Sequence, residues 1–246
     1  PFPIIILDFL RHCVYNVCRL FIYGGECQVG IKERRKRERL ERRDAILQAA
    51  VQVYMEEGYH ATTMDKIAET AELSRATLYL YFSTKDEIFV QAIVQQSEYF
   101  AQLLQGVYER RTEIGDALVP ELLACFKEFY SLDPALMNVT LYFHQSQMLR
   151  NLPEALRSEL DRTGSQNYWW MRKIVAHGIR QGVLRKCNER TLAEFCWTSF
   201  LGILHLENSK MAMGRKVHLE ETWELGLDIL QQGVCPKLEQ DKESVP

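Results

Sequence analysis

The sequence predicts an all-α protein with a small N-terminal helix-turn-helix domain and a larger C-terminal helical bundle. Three observations predict this fold. From Ile31 onward, apolar residues recur at spacings of three and four, as on the buried face of a helix. Residues 62–82 read as two short helices joined by a tight connection. The chain has 246 residues, 47% of them apolar and 26% charged, which is enough to bury a sizeable core.

The charge of the chain is nearly balanced overall but concentrated locally. The net charge is −3, so affinity for an acidic partner requires a local excess of positive charge. Residues 32–43, KERRKRERLERR, hold eight Lys or Arg against three Glu. We call residues 32–43 the basic segment. Two interpretations of it remain open, a solvated helical face and a contact with nucleic acid.

Composition and motifs favour no class of enzyme. The seven cysteines include no C-x-x-C pair, which argues against a disulfide framework or a structural zinc site and favours a reducing cytoplasm. The sequence contains no H-E-x-x-H, G-x-G-x-x-G, G-x-x-x-x-G-K-[ST] or G-x-S-x-G. It therefore predicts no metal, no cofactor and no catalytic residue.

Residues 1–30 differ from the rest of the chain and are left unassigned. They are apolar, but Asp8, Arg11 and Arg19 interrupt the run, so a membrane-spanning helix is not predicted. The apolar run also precedes the basic residues, unlike that of a secretory signal. We expect residues 1 to about 28 to be an artefact of upstream translation or cloning, with the natural start near Val29.

The first helix of the N-terminal domain shows a clear apolar stripe and a clear end. Ile46, Ala50 and Tyr54 recur at a spacing of four. Gly58 follows and is suited to the left-handed conformation that commonly ends a helix. The pattern predicts a helix that ends just before Gly58.

The next two helices are short and closely joined. Thr62, followed three residues later by Asp65, resembles a capping box and predicts the start of the second helix. Ser74 is a natural N-cap for the third helix, which limits the second to about two turns. Two such helices with a three-residue connection are typical of a helix-turn-helix.

The third helix, SRATLYLYF, spreads polar and aromatic side chains around one apolar edge. At about 100° per residue, Leu78 and Phe82 define the buried edge, and Tyr79 and Tyr81 lie about 80° to either side. A helix in a major groove needs small side chains on its leading face and hydrogen-bonding groups on its flanks. An ordinary core helix with partly buried tyrosines is the alternative.

The start of the fourth helix supplies an independent indication. Ser83 is the predicted cap, and Asp86 and Glu87 suit the positive end of the helix. Lys85 does not suit this end, because a cation in the first turn destabilises the helix by about 0.3–1 kcal/mol. A phosphate docked at this helix start would reverse the sign of that interaction. The alternative is a solvated lysine with a negligible cost.

These motifs resemble the DNA-binding domain of the tetracycline-repressor (TetR) family of bacterial transcription regulators. The matching string is ATTMDKIAETAELSRATLYLYFSTKDEIF, with paired threonines, I-A, A-x-x-S, T-L-Y-x-Y-F and a lysine before an acidic helix start. Glu72 departs from the pattern, because the family often has Gly at this turn. If the turn requires a positive φ, Glu72 destabilises it by about 1 kcal/mol.

The resemblance implies a function and a set of residues for it. It implies a ligand-responsive repressor that binds a palindromic operator in double-stranded DNA as a homodimer. The basic segment is similar to an N-terminal extension that adds DNA contacts. The residues that match the family's DNA contacts by position are Thr63, Ser74, Arg75, Ala76, Thr77, Tyr79, Tyr81 and Lys85.

The last two helices are predicted to pair across a dimer interface. Small residues on the stripes of TLAEFCWTSFLGILHLE and HLEETWELGLDILQQG allow close helix approach, and the resemblance implies a two-fold four-helix interface. Core packing within one chain is the alternative. The predicted interface residues are Phe195, Ser199, Gly202, Leu206, Trp223, Gly226 and Leu230.

A pocket for an apolar or amphipathic effector is expected between this interface and the fourth helix. A long helix precedes the interface helices in the sequence, with Pro153 predicted at its first position and Gly182 at its end. Aromatic and Met residues at helical spacing are more often core than ligand-binding, so core is the alternative for every member of the set. The predicted pocket residues are Tyr142, Phe143, His144, Met148, Trp169, Trp170 and Trp197.

The sequence thus divides into four parts. Residues 1–30 are unassigned, 31–84 form the DNA-binding domain, 85–234 the regulatory and dimerisation domain, and 235–246 a tail. An all-helical enzyme or adaptor that carries a helix-turn-helix remains the alternative function. No membrane contact is expected.

Overall fold

The computed structural model of the protein describes residues 30–144 and 146–235. These residues are helical, with no strand among them, as the sequence predicts. The unassigned residues 1–29, with the predicted start near Val29, and the tail from 236 lie outside the described residues. The helices are α1 (Ile31–Glu57), α2 (Met64–Thr70), α3 (Arg75–Tyr79), α4 (Lys85–Glu109), α5 (Arg111–Ile114), α6 (Leu118–Leu132), α7 (Pro134–Phe143), α8 (Ser146–Asn151), α9 (Glu154–Gln181), α10 (Glu189–Ala212) and α11 (Leu219–Val234), with a 3₁₀ turn at Gly115–Ala117.

The chain divides into two compact units between residues 46 and 47, and their described parts are residues 30–46 and, except for 145, residues 47–235. In the described part of the first unit, the basic segment is helical and almost entirely exposed. Two ion pairs at a spacing of four lie along it, Arg34 with Glu38 at 3.6 Å and Arg37 with Glu41 at 3.9 Å. Such exposed pairs add only a few tenths of a kcal/mol each to the helix. The predicted domain boundary after residue 84 lies within the second unit and stays a prediction.

Three predicted helix starts are wrong by one residue. The N-cap of α2 is Thr63 and not Thr62, and that of α4 is Thr84 and not Ser83; each accepts a hydrogen bond from the backbone N–H three residues on. Pro153 is the N-cap of α9, which begins one residue later at Glu154. At α2 and α4 two adjacent hydroxyl residues are able to cap the helix, and the second of them does so, whereas Pro153 caps α9 without a side-chain hydrogen bond.

The hydroxyl of Thr62 shows why it does not cap α2. Thr62 is buried and donates to the backbone oxygen of Gly58 at 2.8 Å. Gly58 itself has a φ of +80° and follows the last residue of α1, as predicted. Gly182 ends α9 in the left-handed conformation, also as predicted.

The core of the second unit is built around α4. This helix packs most extensively on α9, and it also contacts α6 and α7. Its N-terminal half buries Ile88, Phe89 and Ile93. Further along, Phe100 stacks on Phe129 with ring centroids 4.5 Å apart, and a larger aromatic cluster surrounds them. α4 therefore runs from the helix-turn-helix into the aromatic centre of the bundle.

No helix in residues 30–144 and 146–235 has the length and hydropathy that crossing a lipid bilayer requires.

Candidate nucleic-acid interface and regulatory surfaces

The turn between α2 and α3 is tight and carries backbone strain. The N–H of Leu73 donates to the oxygen of Ala68 at 2.8 Å, and that of Glu72 to the oxygen of Glu69 at 3.0 Å. Glu72 has a φ of +54°, the one positive φ of a non-glycine residue in the described chain. This left-handed conformation is unfavourable for any residue with a Cβ. The turn geometry of the helix-turn-helix is thus kept although Glu replaces the expected Gly.

The predicted third helix is shorter than its sequence pattern indicates, because α3 ends at Tyr79 and residues 80–82 lie in the turn that follows. The predicted buried edge is nevertheless present in this segment. Leu78 and Phe82 are buried, with 0% and 1% exposure. Tyr79 is 44% exposed and Tyr81 is half-buried, which places both beside the buried edge. Leu80, at 77% exposure, points away from it. The buried edge attaches a five-residue helix to the domain and leaves its other side to solvent.

The N-terminal turn of α3 presents an arginine, an alanine and two hydroxyl side chains. Arg75 and Ala76 are exposed, and Thr77 is half-buried. Ser74 caps the helix by accepting from the N–H of Thr77 at 3.1 Å, as predicted, and the two hydroxyl oxygens lie 2.7 Å apart. On α2, the hydroxyl of Thr63 accepts from the N–H of Lys66 at 3.3 Å. These hydroxyls are oriented by the helix starts that they cap.

Arg75 has a partner that the sequence did not reveal. Its Nε lies 3.0 Å from an Oδ1 of Asp65 in the first turn of α2, and its guanidinium carbon lies 5.7 Å from the ring centroid of Tyr79. Arg75 and Asp65 are ten residues apart on different helices. The turn at Glu72 brings them together, so no helical spacing signals the pair.

Lys85 is more enclosed than a solvated lysine. Its Nζ donates to the backbone oxygens of Tyr59 at 2.7 Å and Thr62 at 2.9 Å, and lies 4.4 Å from the ring centroid of Tyr59. Burial lowers the pKa of Lys85, and the neighbouring Asp86 partly offsets this effect. An ammonium has three N–H donors, so two of them hold the loop between α1 and α2.

Tyr59, which follows the helix-ending Gly58 and is placed for a hydrophobic contact there, is the centre of an aromatic cluster whose other members the sequence does not reveal. Its hydroxyl donates to Asp86, and burial, followed by this hydrogen bond, raises the pKa of Tyr59. Its ring lies 5.6 Å from that of Phe89 on α4, 5.0 Å from Tyr142 and 5.6 Å from Phe143 on α7. The α1–α2 loop thus contacts both α4 and the regulatory bundle. The position of Tyr59 directly after a helix-ending Gly was the available signal.

The structure does not bring the seven predicted pocket residues together. Tyr142 and Phe143 belong to the Tyr59 cluster beneath the helix-turn-helix. Trp197 packs among the core phenylalanines, and its ring lies 6.2 Å from that of His144. The rings of Trp169 and Trp170 lie 4.6 Å apart on α9, where Trp169 is exposed and Trp170 half-buried.

Met148, the seventh of this set, is buried on α8. Trp170 and Trp197 thus pack against the main core cluster, whereas Tyr142 and Phe143 lie in the Tyr59 cluster. Helical spacing predicts that all seven side chains face inward, which is wrong for Trp169, and it carries no information on which helices face each other.

A cavity of about 650 Å³ lies between α6, α10 and α11. Its wall is mostly apolar and includes Phe126 and Ile203, with Arg185 and Asn188 also present. None of the seven predicted pocket residues lines it. Five of the predicted dimer-interface residues do: Phe195, Ser199, Trp223, Gly226 and Leu230.

The outer face of α10 and α11 leaves large apolar side chains exposed. Leu225 and Ile229 on α11 are 60% and 61% exposed, and Phe195 and Leu206 on α10 are 55% and 53% exposed. Gly202 is also exposed, whereas Trp223 is buried at 7% exposure. The predicted dimer-interface set thus combines residues that face solvent with Trp223, which packs against the core.

Comparison with known proteins gives related sequences and a shared fold. Residues 46–92 match the family model described as bacterial regulatory proteins, tetR family. The negative transcriptional regulator IcaR of the biofilm operon icaADBC from Staphylococcus epidermidis is 30% identical over 118 residues, which are 48% of this chain and 58% of IcaR. The chain therefore matches little more than half the length of that relative.

Two solved structures have the same fold over most of the chain. The regulator FadR from Bacillus subtilis in complex with stearoyl-CoA has a TM-score of 0.60 at 23% identity and covers 77% of this chain and 97% of its own. SmeT, the repressor of the Stenotrophomonas maltophilia multidrug efflux pump SmeDEF, has a TM-score of 0.61 at 23% identity and covers 83% and 95%.

Proposed function

We propose that the chain is a member of the TetR family of bacterial transcriptional regulators and acts as a ligand-responsive repressor that binds an operator in double-stranded DNA. The observation that carries the proposal is the two-sided character of α3. Its buried edge of Leu78 and Phe82 leaves Arg75 and Ala76 exposed in the N-terminal turn. The N-terminal residues of a recognition helix are those that approach base edges in the major groove.

The proposed DNA contacts divide into two kinds. Ser74, Arg75, Ala76 and Thr77 approach base edges or nearby phosphates, whereas the remaining residues of the set contact phosphates. The proposed phosphate contacts are Thr63, Tyr79, Tyr81 and Lys85. The basic segment adds further backbone contacts through its exposed Lys and Arg side chains.

Selection from a randomised double-stranded DNA library tests this proposal. The wild-type protein is expected to enrich one palindromic sequence, with affinity that falls steeply as salt rises. Thr77→Ala should change base preference at one or two positions of each half-site, each by about 1–3 kcal/mol. A protein that enriches no sequence at low salt does not have the proposed function.

We propose that the protein acts as a homodimer through α10 and α11. The support is the row of exposed apolar side chains on these helices together with the apolar cavity beside them. A stable interface buries about 800 Å² per partner, with an apolar centre. Ile229→Lys is expected to give a monomer in analytical ultracentrifugation, while Leu80→Lys, an exposed leucine outside these helices, should remain a dimer.

The effector is proposed to be an apolar or amphipathic small molecule that weakens operator binding. α4 is suited to transmit the change, because Ile88 and Phe89 are buried near the helix-turn-helix and Phe100 lies in the aromatic core. A tilt of α4 would change the distance between the two recognition helices, which must lie about 34–36 Å apart to reach successive major grooves.

The coupling between effector and operator is measurable. To convert a dimer from about 99% competent to about 99% incompetent, the effector must prefer the released form by about 10⁴-fold. Because coupling is reciprocal, operator DNA must weaken effector binding by the same factor. Calorimetric titration of fatty acids and acyl thioesters with and without operator tests this class of compound. Equal affinities in the two titrations would exclude a compound as the inducer.

We place the protein in the cytoplasm, where chromosomal DNA is accessible, and assign it no catalytic activity.

A further inference from the structure

Arg75 has two neighbours, Asp65 and Tyr79, that favour one orientation of its side chain before any DNA binds. Its Nε lies 3.0 Å from Oδ1 of Asp65, and the ring of Tyr79 flanks the guanidinium with 5.7 Å between the guanidinium carbon and the ring centroid. The side chains of Arg75 and Asp65 are 64% and 61% exposed. An exposed ion pair contributes little to stability. The more important consequence is that the pair restricts the orientation of an arginine at the start of the recognition helix.

The geometry of the guanidinium makes this restriction chemically specific. A guanidinium carries five N–H donors in a planar fork. When Nε is bonded to a carboxylate, the two terminal nitrogens can still present a parallel pair of N–H groups. Guanine offers two adjacent acceptors, O6 and N7, on its major-groove edge, and no other base offers two acceptors there. A restrained arginine therefore matches guanine better than a mobile one, which can turn to a phosphate instead.

We propose that Asp65 positions Arg75 to read a guanine in each half-site of the operator. This inference rests on the proposed function as a DNA-binding regulator. Asp65 is a positioning residue and does not itself bind the base. Its carboxylate also adds a negative charge near the phosphates, which weakens binding to every sequence. Asp65 thus lowers general affinity for DNA while it raises discrimination.

The opposite signs of these two effects distinguish positioning from a merely structural role. Loss of a structural residue weakens binding to all DNA. Loss of the Asp65 charge is expected to strengthen binding to unrelated DNA and to reduce the preference for guanine. Neither Asp65 nor Arg75 is buried, so replacing either of them is expected to leave the fold intact. Both effects can therefore be measured on the folded protein.

The test uses the full-length protein and a randomised double-stranded DNA library. The variants are Asp65→Asn, Arg75→Ala and the double variant, and the control is Glu69→Gln, which neutralises another exposed carboxylate on α2. The wild type should select guanine at one position per half-site. Arg75→Ala should lose this preference by about 5- to 150-fold. Asp65→Asn should reduce it by about two- to fivefold.

The double variant separates the two residues. In the Arg75→Ala background, Asp65→Asn should have no further effect on base preference, because the group that it positions is gone. Glu69→Gln should leave the selected base unchanged. Circular dichroism and thermal unfolding of each variant verify that the fold is retained.

Two results would overturn the inference. One is a base-preference profile of Asp65→Asn that equals the wild-type profile, and the other is an Arg75-dependent position that selects a base other than guanine. Either result leaves the proposed function intact, because the wild type still selects a sequence. If the wild type selects no sequence at all, the proposed function itself has failed.

Discussion

The Nζ of Lys85 lies 2.7 Å from the backbone oxygen of Tyr59, so the first residue of α4 holds the loop that leads into α2. The same ammonium donates to the oxygen of Thr62, the residue before the N-cap of α2. A hydrogen bond from a charged donor contributes more than one between neutral groups. Lys85 therefore has a role in the folded protein in addition to its proposed contact with phosphate.

Lys85→Met should lower both stability and the salt dependence of DNA binding. Loss of its carbonyl contacts is expected to lower the free energy of unfolding by about 1–3 kcal/mol. Loss of one phosphate contact should reduce the slope of log affinity against log salt by about 0.9. Urea unfolding and binding titrations at several salt concentrations measure the two effects.

Lys127→Met is the matched control for Lys85. Lys127 makes an exposed ion pair with Glu220 on α11, outside the helix-turn-helix, and its loss should leave stability almost unchanged. An unchanged slope in Lys85→Met, with reduced stability, would leave Lys85 as a loop-positioning residue and remove it from the phosphate contacts.

Glu72→Gly should stabilise the protein. The positive φ of 54° at Glu72 is unfavourable for a residue with a Cβ and favourable for Gly, so we expect a gain of about 1 kcal/mol in the free energy of unfolding. Glu69→Gly, three residues earlier and within α2, should destabilise by about the same amount, because Gly is a poor helix former. Chemical denaturation of both variants measures the sign of each change in the free energy of unfolding. A Glu72→Gly variant that is less stable than the wild type would show that the turn does not hold this conformation in solution.

Gly178→Ala should destabilise the protein through overpacking. A Cβ at Gly178 would lie 2.8 Å and 2.9 Å from side-chain atoms of Leu184 and Leu118, closer than carbon atoms approach without displacement. We expect a loss of about 1–3 kcal/mol.

Gly164→Ala on the same helix is the control for Gly178→Ala. A Cβ at Gly164 meets no atom within 4 Å, so this substitution should stabilise α9 by up to about 1 kcal/mol. Equal effects of the two substitutions in thermal unfolding would contradict the packing around Gly178.

Glu207 should make stability depend on pH in the acid range. Its buried carboxylate accepts from Nζ of Lys210 at 2.6 Å and from the N–H of His218 at 2.8 Å, and these hydrogen bonds, that of Lys210 first, lower its pKa from the usual value of 4.5. A lowered pKa in the folded state gives stability that is present above about pH 4.5 and is lost as the pH falls through the folded value.

Glu207→Gln should therefore lower the Tm at pH 7, and its difference from the wild type should shrink as the pH falls below about 4.5. Glu194→Gln removes one partner of an exposed pair with Arg190 on the same helix and should leave the Tm almost unchanged. A Tm difference that stays constant from pH 7 to pH 3 would argue against an ionised Glu207 in the folded protein.

Local pattern in the sequence was sufficient for several features of the DNA-binding domain. The helical wheel predicted the burial of Leu78 and Phe82 and the exposure of Leu80. It holds although α3 ends at Tyr79, because the N–H of Phe82 still donates to the oxygen of Leu78 at 3.1 Å. Gly58 and Ser74 marked a helix end and a helix start, because both positions depend on the chemistry of one or two neighbouring residues. The possibility of a positive φ at Glu72 also followed from a single position in a tight turn.

The sequence by itself therefore determined the helical class, the helix-turn-helix and the buried side of its third helix, because these depend on contacts within a few residues. Tertiary structure alone decided the partners of Lys85 and Arg75, which lie 26 and 10 residues away at Tyr59 and Asp65. It also decided that the predicted pocket residues divide between the Tyr59 cluster and the main core, and that the cavity lies between α6, α10 and α11. Helical periodicity shows which side of a helix faces inward, but which other helix it meets depends on how all the helices pack together.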